Sequence, residues 1–178
     1  MAPSYVLHQY PYRDTSRIVE AFTAEHGRIS LFARGAGGPK STLKGVLRPF
    51  QRLLLSWTGK SEAGALTGAE IDGTATAIPK ERLMSGFYLN ELLLKLTERW
   101  DPHPEIFLSY DVCIAALSAG EGEELSARRV VWLMHRHFLF SPCSRKLARY
   151  ATISSICSAE RIGLPRQAGP TRLRPSTR

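Results

Sequence analysis

Apolar and polar positions alternate in short runs at the start of the chain and switch to a helical period further on. "YVLHQYPY", Tyr5 to Tyr12, is aromatic and β-branched enough for a strand. Pro11 puts it at a strand end or a sheet edge, because proline donates nothing to a ladder. Ile18, Val19 and Phe22 form a second apolar run, and Ile29, Leu31 and Ala33 alternate in a third. "EHG" between these two supplies a turn in which Gly27 takes positive φ, so the pair predicts a β-hairpin. In "QRLLLSWTGK", Leu53, Leu55 and Trp57 share one face, which places Trp57 with the core leucines. "EAGALTGAEIDG" is a weaker fifth strand, its Gly64 and Gly68 marking bulges or close backbone approaches. Five short strands in residues 1–75, with no convincing long helix, suit a small, strongly bent antiparallel barrel. The OB-fold is the commonest such barrel that also handles nucleic acids.

The period changes around Pro79, which suits a helix start. "KERLMSGFYLNELLLKLTERW" places Leu83, Phe87 and Leu94 on a broad helical stripe. "DPHPEIFLSYDVCIAALSAG" predicts a second helix with Ile106, Tyr110, Cys113, Ile114 and Leu117 inside. Asp101, Pro102 and Pro104 punctuate its start, and Gly120 and Gly122 end it. "EELSARRVVWLMHRHFLF" predicts a third. The fold class is therefore α+β: a five-stranded OB-fold barrel over residues 1–78, then an incomplete α-helical domain over 79–140. Residues 141–178 are rich in Arg, Ser and Pro, with too few large apolar residues to cover a helical core. They predict a basic, disordered tail.

Charge sharpens this division. The 178-residue chain carries a formal +8, distributed in blocks. Residues 1–80 hold ten Lys/Arg and six Asp/Glu, residues 81–125 three and nine, and residues 126–178 eleven and one. Basic blocks attract phosphate backbones whatever their sequence, although excess arginine also simply solubilises. No uncharged apolar run approaches the roughly 18–20 residues of a membrane span. The N-terminus lacks the basic-then-apolar order of a secretory signal. Cys113, Cys143 and Cys157 fit no disulfide framework. These features predict a soluble cytoplasmic protein without a membrane partner.

The densest chemistry lies in "ARGAGGPKSTLKGVLRPF", Ala33 to Phe50, with four basic residues, four glycines, two prolines and no acid. A P-loop ending at Lys40 needs glycine at positions 34 and 39, where Arg34 and Pro39 stand, and Pro39 removes an N–H from the phosphate cradle. Gly35, Gly37 and Gly38 do not make a dinucleotide fingerprint either. His135 and His137, two apart on a helix, do not converge on a metal with Cys143 or Cys157. No G-x-S-x-G or H-E-x-x-H is present. Asn90 and Glu91 are a polar pair inside an apolar helix, read as structural, capping or bridging the domain boundary. No catalytic residue, metal, cofactor or small-molecule substrate is expected, and the chain is not expected to be an enzyme.

Binding remains. Arg34, Lys40, Lys44 and Arg48 come at spacings of six, four and four in the glycine-rich stretch, where the backbone can approach a polyanion closely. Loops and one sheet face of an OB barrel form the groove for single strands. Arg13, Arg17, Arg28 and Lys60 extend the basic face. Tyr10, Tyr12, Phe50 and Trp57 are candidate stacking platforms, Trp57 being better placed in the core.

"PYRDTSRIVEAFTAEHGRISLFARGA" resembles the N-terminal strands of the RecO family of bacterial DNA repair proteins, and "LRPFQRLLLSW" resembles its next strand. "GFYLNELLLKL" followed by "DPHPEIFLSY" is similar to the first helices of that family's helical domain. The likeness runs from about residue 4 to about residue 125. It implies a recombination mediator that binds single- and double-stranded DNA through its OB-fold and anneals complementary strands. It further implies loading of recombinase with RecR, and contact with the acidic C-terminal tail of the single-strand binding protein SSB. Nucleotide hydrolysis is not implied, and location would be cytoplasmic, at the nucleoid. The resemblance carries DNA contact to Arg34, Lys40 and Lys44, and with less weight to Arg48, Arg13 and Arg28.

After about Ala127 the text no longer resembles the family, whose members complete a helical bundle, often around a four-cysteine zinc module. Acids almost vanish there, as in translation of a GC-rich gene in a wrong frame. A truncated or frameshifted product is expected, with a natural short variant carrying a basic tail as the alternative. The competing functional reading is a protein-interaction module that docks RecR or SSB with little DNA affinity, or a product without function.

Overall fold

All five strands form, and they close on themselves. The computed structural model describes residues 1–59 and 63–120, which belong to one unit, Met1–Arg136. The expected third helix at 123–140, the tail at 141–178 and Lys60 lie outside the described residues. The strands are β1 (Ala2–Tyr12), β2 (Ser16–Thr23), β3 (Gly27–Ala33), β4 (Arg52–Thr58) and β5 (Gly64–Ile71). Their order around the barrel is β1-β2-β3-β5-β4, with β4 pairing back onto β1. This is the strand order of an OB-fold. All pairings are antiparallel except β3–β5, a short parallel seam of Leu31 with Gly64 and Phe32 with Ala65. A side chain on Gly64 would meet the Gly59 carbonyl at 3.2 Å and Leu31 at 3.3 Å, so glycine permits the seam to close. Pro11 sits near the end of β1, opposite Arg17.

Two bulges bend the barrel. One shifts the β4–β5 register between Ser56 and Trp57, beside Gly68. The other falls between Val6 and His8 on β1. Because side chains alternate with period two, one extra residue there exchanges the faces of everything that follows. Gln9 then turns inward, where its amide donates to the Leu47 carbonyl, while His8, Tyr10 and Tyr12 stand exposed outside.

The barrel core consists of Val6, Val19, Ala21, Ile29, Leu31, Ala33, Leu53 and Leu55, completed by Ala36 and Leu47 from the β3–β4 connection. That connection contains α1 (Leu43–Val46), a single helical turn that the residue pattern did not predict. Its Leu43 and Val46 pack against the core, as does Trp57, which is half-buried at the margin of the leucines.

A 3-10 turn, Lys80–Arg82, leads into α2 (Leu83–Leu96), followed by α3 (Pro104–Ala119). Pro104 occupies the first turn of α3, and Gly120 ends it at φ 84°. The inner face of α3 includes all five expected residues, joined by Phe107. In α2 the expected stripe is displaced. Gly86, Leu89, Asn90, Leu92 and Leu93 are buried, whereas Leu83 and Leu94 are half-buried and Phe87 is 46% exposed. The reason is that α2 lies against the outside of the barrel, over β1, and the side turned to it is the one buried. A β-carbon on Gly86 would stand 2.9 Å from the Phe50 ring, so only glycine allows that approach.

The helices cover one part of the outer barrel face. Tyr5 meets Tyr110 edge-on at 5.0 Å, and Phe107 lies 5.8 Å from both Tyr5 and Phe22. Polar contacts fasten the same surface. Asn90 donates to the Leu7 carbonyl at 2.9 Å and accepts from the Tyr110 hydroxyl at 2.5 Å, so it does bridge barrel and helices. Glu91, by contrast, is exposed and pairs with Lys95 one turn along. No described helix is long and apolar enough to cross a membrane.

Candidate nucleic-acid interface

The basic segment is held at several points. Gly35 reverses the chain after β3 at φ 71°, and Ala36 drops into the core. Gly37 then donates its amide to the Thr15 carbonyl at 2.7 Å, which lays the segment against the β1–β2 turn. A side chain at Gly37 would stand 3.2 Å from that carbonyl, so the approach relies on glycine. Gly38 and Ser41 continue the turn with bonds to Gly35 and Gly38, and Leu47 returns the chain to the core. Buried apolar residues and backbone bonds thus set the path, leaving the long cationic side chains outside. Arg34, Lys40, Lys44 and Arg48 are all exposed.

Arg13 joins them from the neighbouring turn. It is exposed, adopts φ 53°, and places its guanidinium 5.4 Å from the centre of the Tyr12 ring. Asp14 is exposed in the same turn. Arg17 is half-buried and donates to the Gln9 side chain at 3.3 Å.

Arg28 departs from the expectation. Its side chain is only 17% exposed and pairs with the buried Glu20 at 3.2 Å. The remaining nitrogens donate to the Thr97 carbonyl at 3.0 and 3.2 Å. Glu20 also accepts from Ser30 and pairs with Arg99 at 2.8 Å. A guanidinium whose three nitrogens are all engaged by these partners braces the barrel against the segment after α2. Spacing in the sequence cannot reveal this, because Thr97 and Arg99 come from some seventy residues away.

The aromatic candidates separate in the same way. Phe50 is 4% exposed and packs on Phe87 at 5.1 Å, so it is no stacking platform. Trp57 faces His26 edge-on at 5.1 Å. Tyr10 and Tyr12 remain 47% and 39% exposed. Phe32, which the pattern did not single out, lies edge-on to Tyr12 at 5.5 Å. Its alternation with Leu31 and Ala33 was the available signal for an outward ring.

Elsewhere the titratable groups serve structure. Arg52 on β4 contacts Asp72 at 2.7 Å and Asp111 of α3 at 2.8 Å. These bonds, first that to Asp72, hold its guanidinium protonated more firmly than usual. Tyr5 donates to the other Asp111 oxygen; burial, then that bond, raises its phenol well above the ordinary range. Burial alone leads the same upward shift at Tyr110. Among the described residues no three His, Cys, Asp or Glu side chains gather as metal ligands would. His135, His137, Cys143 and Cys157 lie outside them.

The pattern described as "Recombination protein O N terminal" matches residues 2–74, and "Recombination protein O C terminal" matches residues 80–137. The chain belongs to the RecO family. It is similar to the DNA repair protein RecO of Burkholderia pseudomallei (strain 1710b), 51% identical over 119 residues, which cover 67% of this chain and 43% of that relative. The RecO of Ralstonia nicotianae is 50% identical over 119 residues, 67% of this chain and 44% of its own length. With the RecO of Chromobacterium violaceum the match is 42% identical over 153 residues, 86% of this chain and 62% of that relative. The chain thus spans 43–62% of the length of these three relatives. The expected end of the RecO likeness at Ala127 is overturned, since the C-terminal pattern continues to residue 137 and the Chromobacterium match covers still more.

Proposed function

We propose that this chain is a DNA repair and recombination mediator of the RecO type. In this reading residues 1–78 bind single- and double-stranded DNA, and the chain anneals complementary strands. With RecR it helps load recombinase onto SSB-coated DNA, the domain after the barrel, with α2 and α3, meeting the SSB tail. The observation that carries the DNA reading is the acid-free segment 33–50, docked through Gly37 onto Thr15 with Arg34, Lys40, Lys44 and Arg48 exposed beside Arg13. A loop fixed by backbone bonds and buried apolar residues, with its cations exposed, suits phosphate contact, which neutralises charge without reading sequence. No turnover chemistry is needed.

Binding to a labelled duplex and to a labelled single strand, each across a range of salt, tests this. Counterion release makes affinity fall steeply with salt, and replacing Arg34, Lys40 and Lys44 with Ala should flatten the slope by about two to three units. An unchanged slope would remove the loop from the DNA surface.

A second reading has its own support. Met84 and Phe87 on α2 and Leu108 and Val112 on α3 are exposed apolar residues, which suit a protein partner such as RecR or SSB better than a phosphate backbone. Binding of an SSB-tail peptide by a chain that holds neither DNA probe would favour a docking module over a DNA binder.

A further inference from the structure

The outer face of β1–β2–β3 has two parts. Tyr5, Leu7 and Phe22 are buried, the two rings against Phe107 of α3 and the Leu7 carbonyl bonded to Asn90 of α2. Beyond the β1 bulge, His8, Tyr10, Tyr12, Ile18 and Phe32 are exposed or half-buried. Tyr10, Ile18 and Phe32 form one row, as Tyr10 pairs with Ile18 and Ile18 with Phe32. Tyr10 and Tyr12 are successive outward rungs, about 7 Å apart along the strand. Their rings are supported by neighbours: His8 lies 4.4 Å from Tyr10, and Phe32 lies 5.5 Å from Tyr12. Arg13 and Arg34, both exposed, flank the row at the end where the basic segment begins.

We propose that this half-face is a base-stacking subsite for single-stranded nucleic acid, with bases on Tyr10 and Tyr12 and the adjoining phosphates on Arg13 and Arg34. It rests on the DNA reading above and adds to it a physical basis for telling strands apart. In a duplex the base faces are stacked on each other and cannot reach an aromatic side chain, whereas phosphates are presented by both forms. A cationic loop alone therefore holds either form. Supported rings lose little freedom on binding, so their contact area is retained as affinity. The flanking arginines give the face the charge that a polyanion requires and an apolar protein partner does not.

The test uses the full chain with two labelled probes, an oligothymidylate of about 20 nucleotides and a blunt duplex of the same length. Tyr10→Ala/Tyr12→Ala should bind the single strand at least about thirtyfold more weakly while duplex affinity stays within about twofold. Tyr10→Phe/Tyr12→Phe should restore single-strand binding, because the ring faces are kept. Equal loss on both probes would make the tyrosines part of a phosphate surface. No loss on either would leave the face to a protein partner. Either result overturns the subsite while the parental chain still binds DNA. A parental chain that holds neither probe removes the DNA reading itself, and the subsite with it.

Discussion

Gly27 and Asp101 lie so close that no side chain fits between them. A β-carbon on Gly27 would stand 1.9 Å from the Asp101 carbonyl oxygen. Next to this contact the Trp100 amide donates to the Arg28 carbonyl at 2.9 Å. The turn of the β2–β3 hairpin is thus also the seat for the link between α2 and α3. Gly27 meets a second demand at the same time, a φ of 66°. Gly27→Ala should therefore lose at least about 2 kcal/mol, through strain and displacement of the link together. Urea unfolding measures it, and a loss below about 0.5 kcal/mol would contradict the packing described.

Asn90 offers a separate test of how the helices are held. It is buried, with one partner on the barrel and one on α3. Asn90→Ala strands the Leu7 carbonyl and the Tyr110 hydroxyl together, and should cost about 2–4 kcal/mol. Tyr110→Phe strands only the Asn90 oxygen and should cost about 1–2 kcal/mol. Because both changes cut the same bond, the double variant should lose less than the sum of the two. Full additivity would mean that the bond does not form.

These two residues show how far the residue pattern reaches. Positive φ at Gly27 and a bridging role for Asn90 were both legible, since a turn glycine and a lone amide in an apolar helix each carry a local signal. The partner at Asp101 was not, because it lies over seventy residues away in sequence. The strands and the inner face of α3 were legible for the same local reason, their period of apolar residues. The bulge at Leu7 has no such signature, yet it decides that Tyr10 and Tyr12 face solvent. The exposed cations of segment 33–50 were legible because nothing acidic accompanies them. The burial of Arg28 was not legible, since the Glu20 it pairs with belongs to the adjacent strand and the Thr97 carbonyl to the segment after α2.

Tyr5 links stability to alkaline pH. Its phenol is buried and bonded to Asp111, and it keeps its proton to higher pH in the folded chain than in the unfolded one. Below about pH 10 both states are protonated and the contribution is whole. Above that the unfolded state alone ionises, so folding weakens as pH rises. Tyr5→Phe should be less stable at neutral pH, because Asp111 loses a donor, yet should lose stability less steeply between about pH 9.5 and 11. Tyr110 shifts in the same direction, first through burial, which the substitution leaves in place, and then through the charge of an ionised Tyr5, which Phe cannot carry; losing that second part also makes the variant's curve less steep. Denaturant midpoints across that range are the measurement, and parallel curves would contradict it.

Arg28 and Arg34 should respond in opposite ways to the same substitution. Arg28→Ala leaves the nearly inaccessible Glu20 carboxylate with Arg99 and Ser30 alone, and frees the Thr97 carbonyl from both of its guanidinium bonds. Removing one member of a buried ion pair typically costs about 3–5 kcal/mol. The surviving Arg99 contact brings the expected loss here to about 2 kcal/mol. The salt dependence of DNA binding should not change, because this guanidinium is already engaged by Glu20 and the Thr97 carbonyl. Arg34→Ala removes an exposed cation without a described ion-pair partner, so stability should stay within about 0.5 kcal/mol. Its salt slope on either probe should fall by about one unit. Thermal unfolding and a salt titration on both variants decide the matter. A flatter slope for Arg28→Ala, or an unchanged one for Arg34→Ala, would exchange the roles assigned to the two arginines.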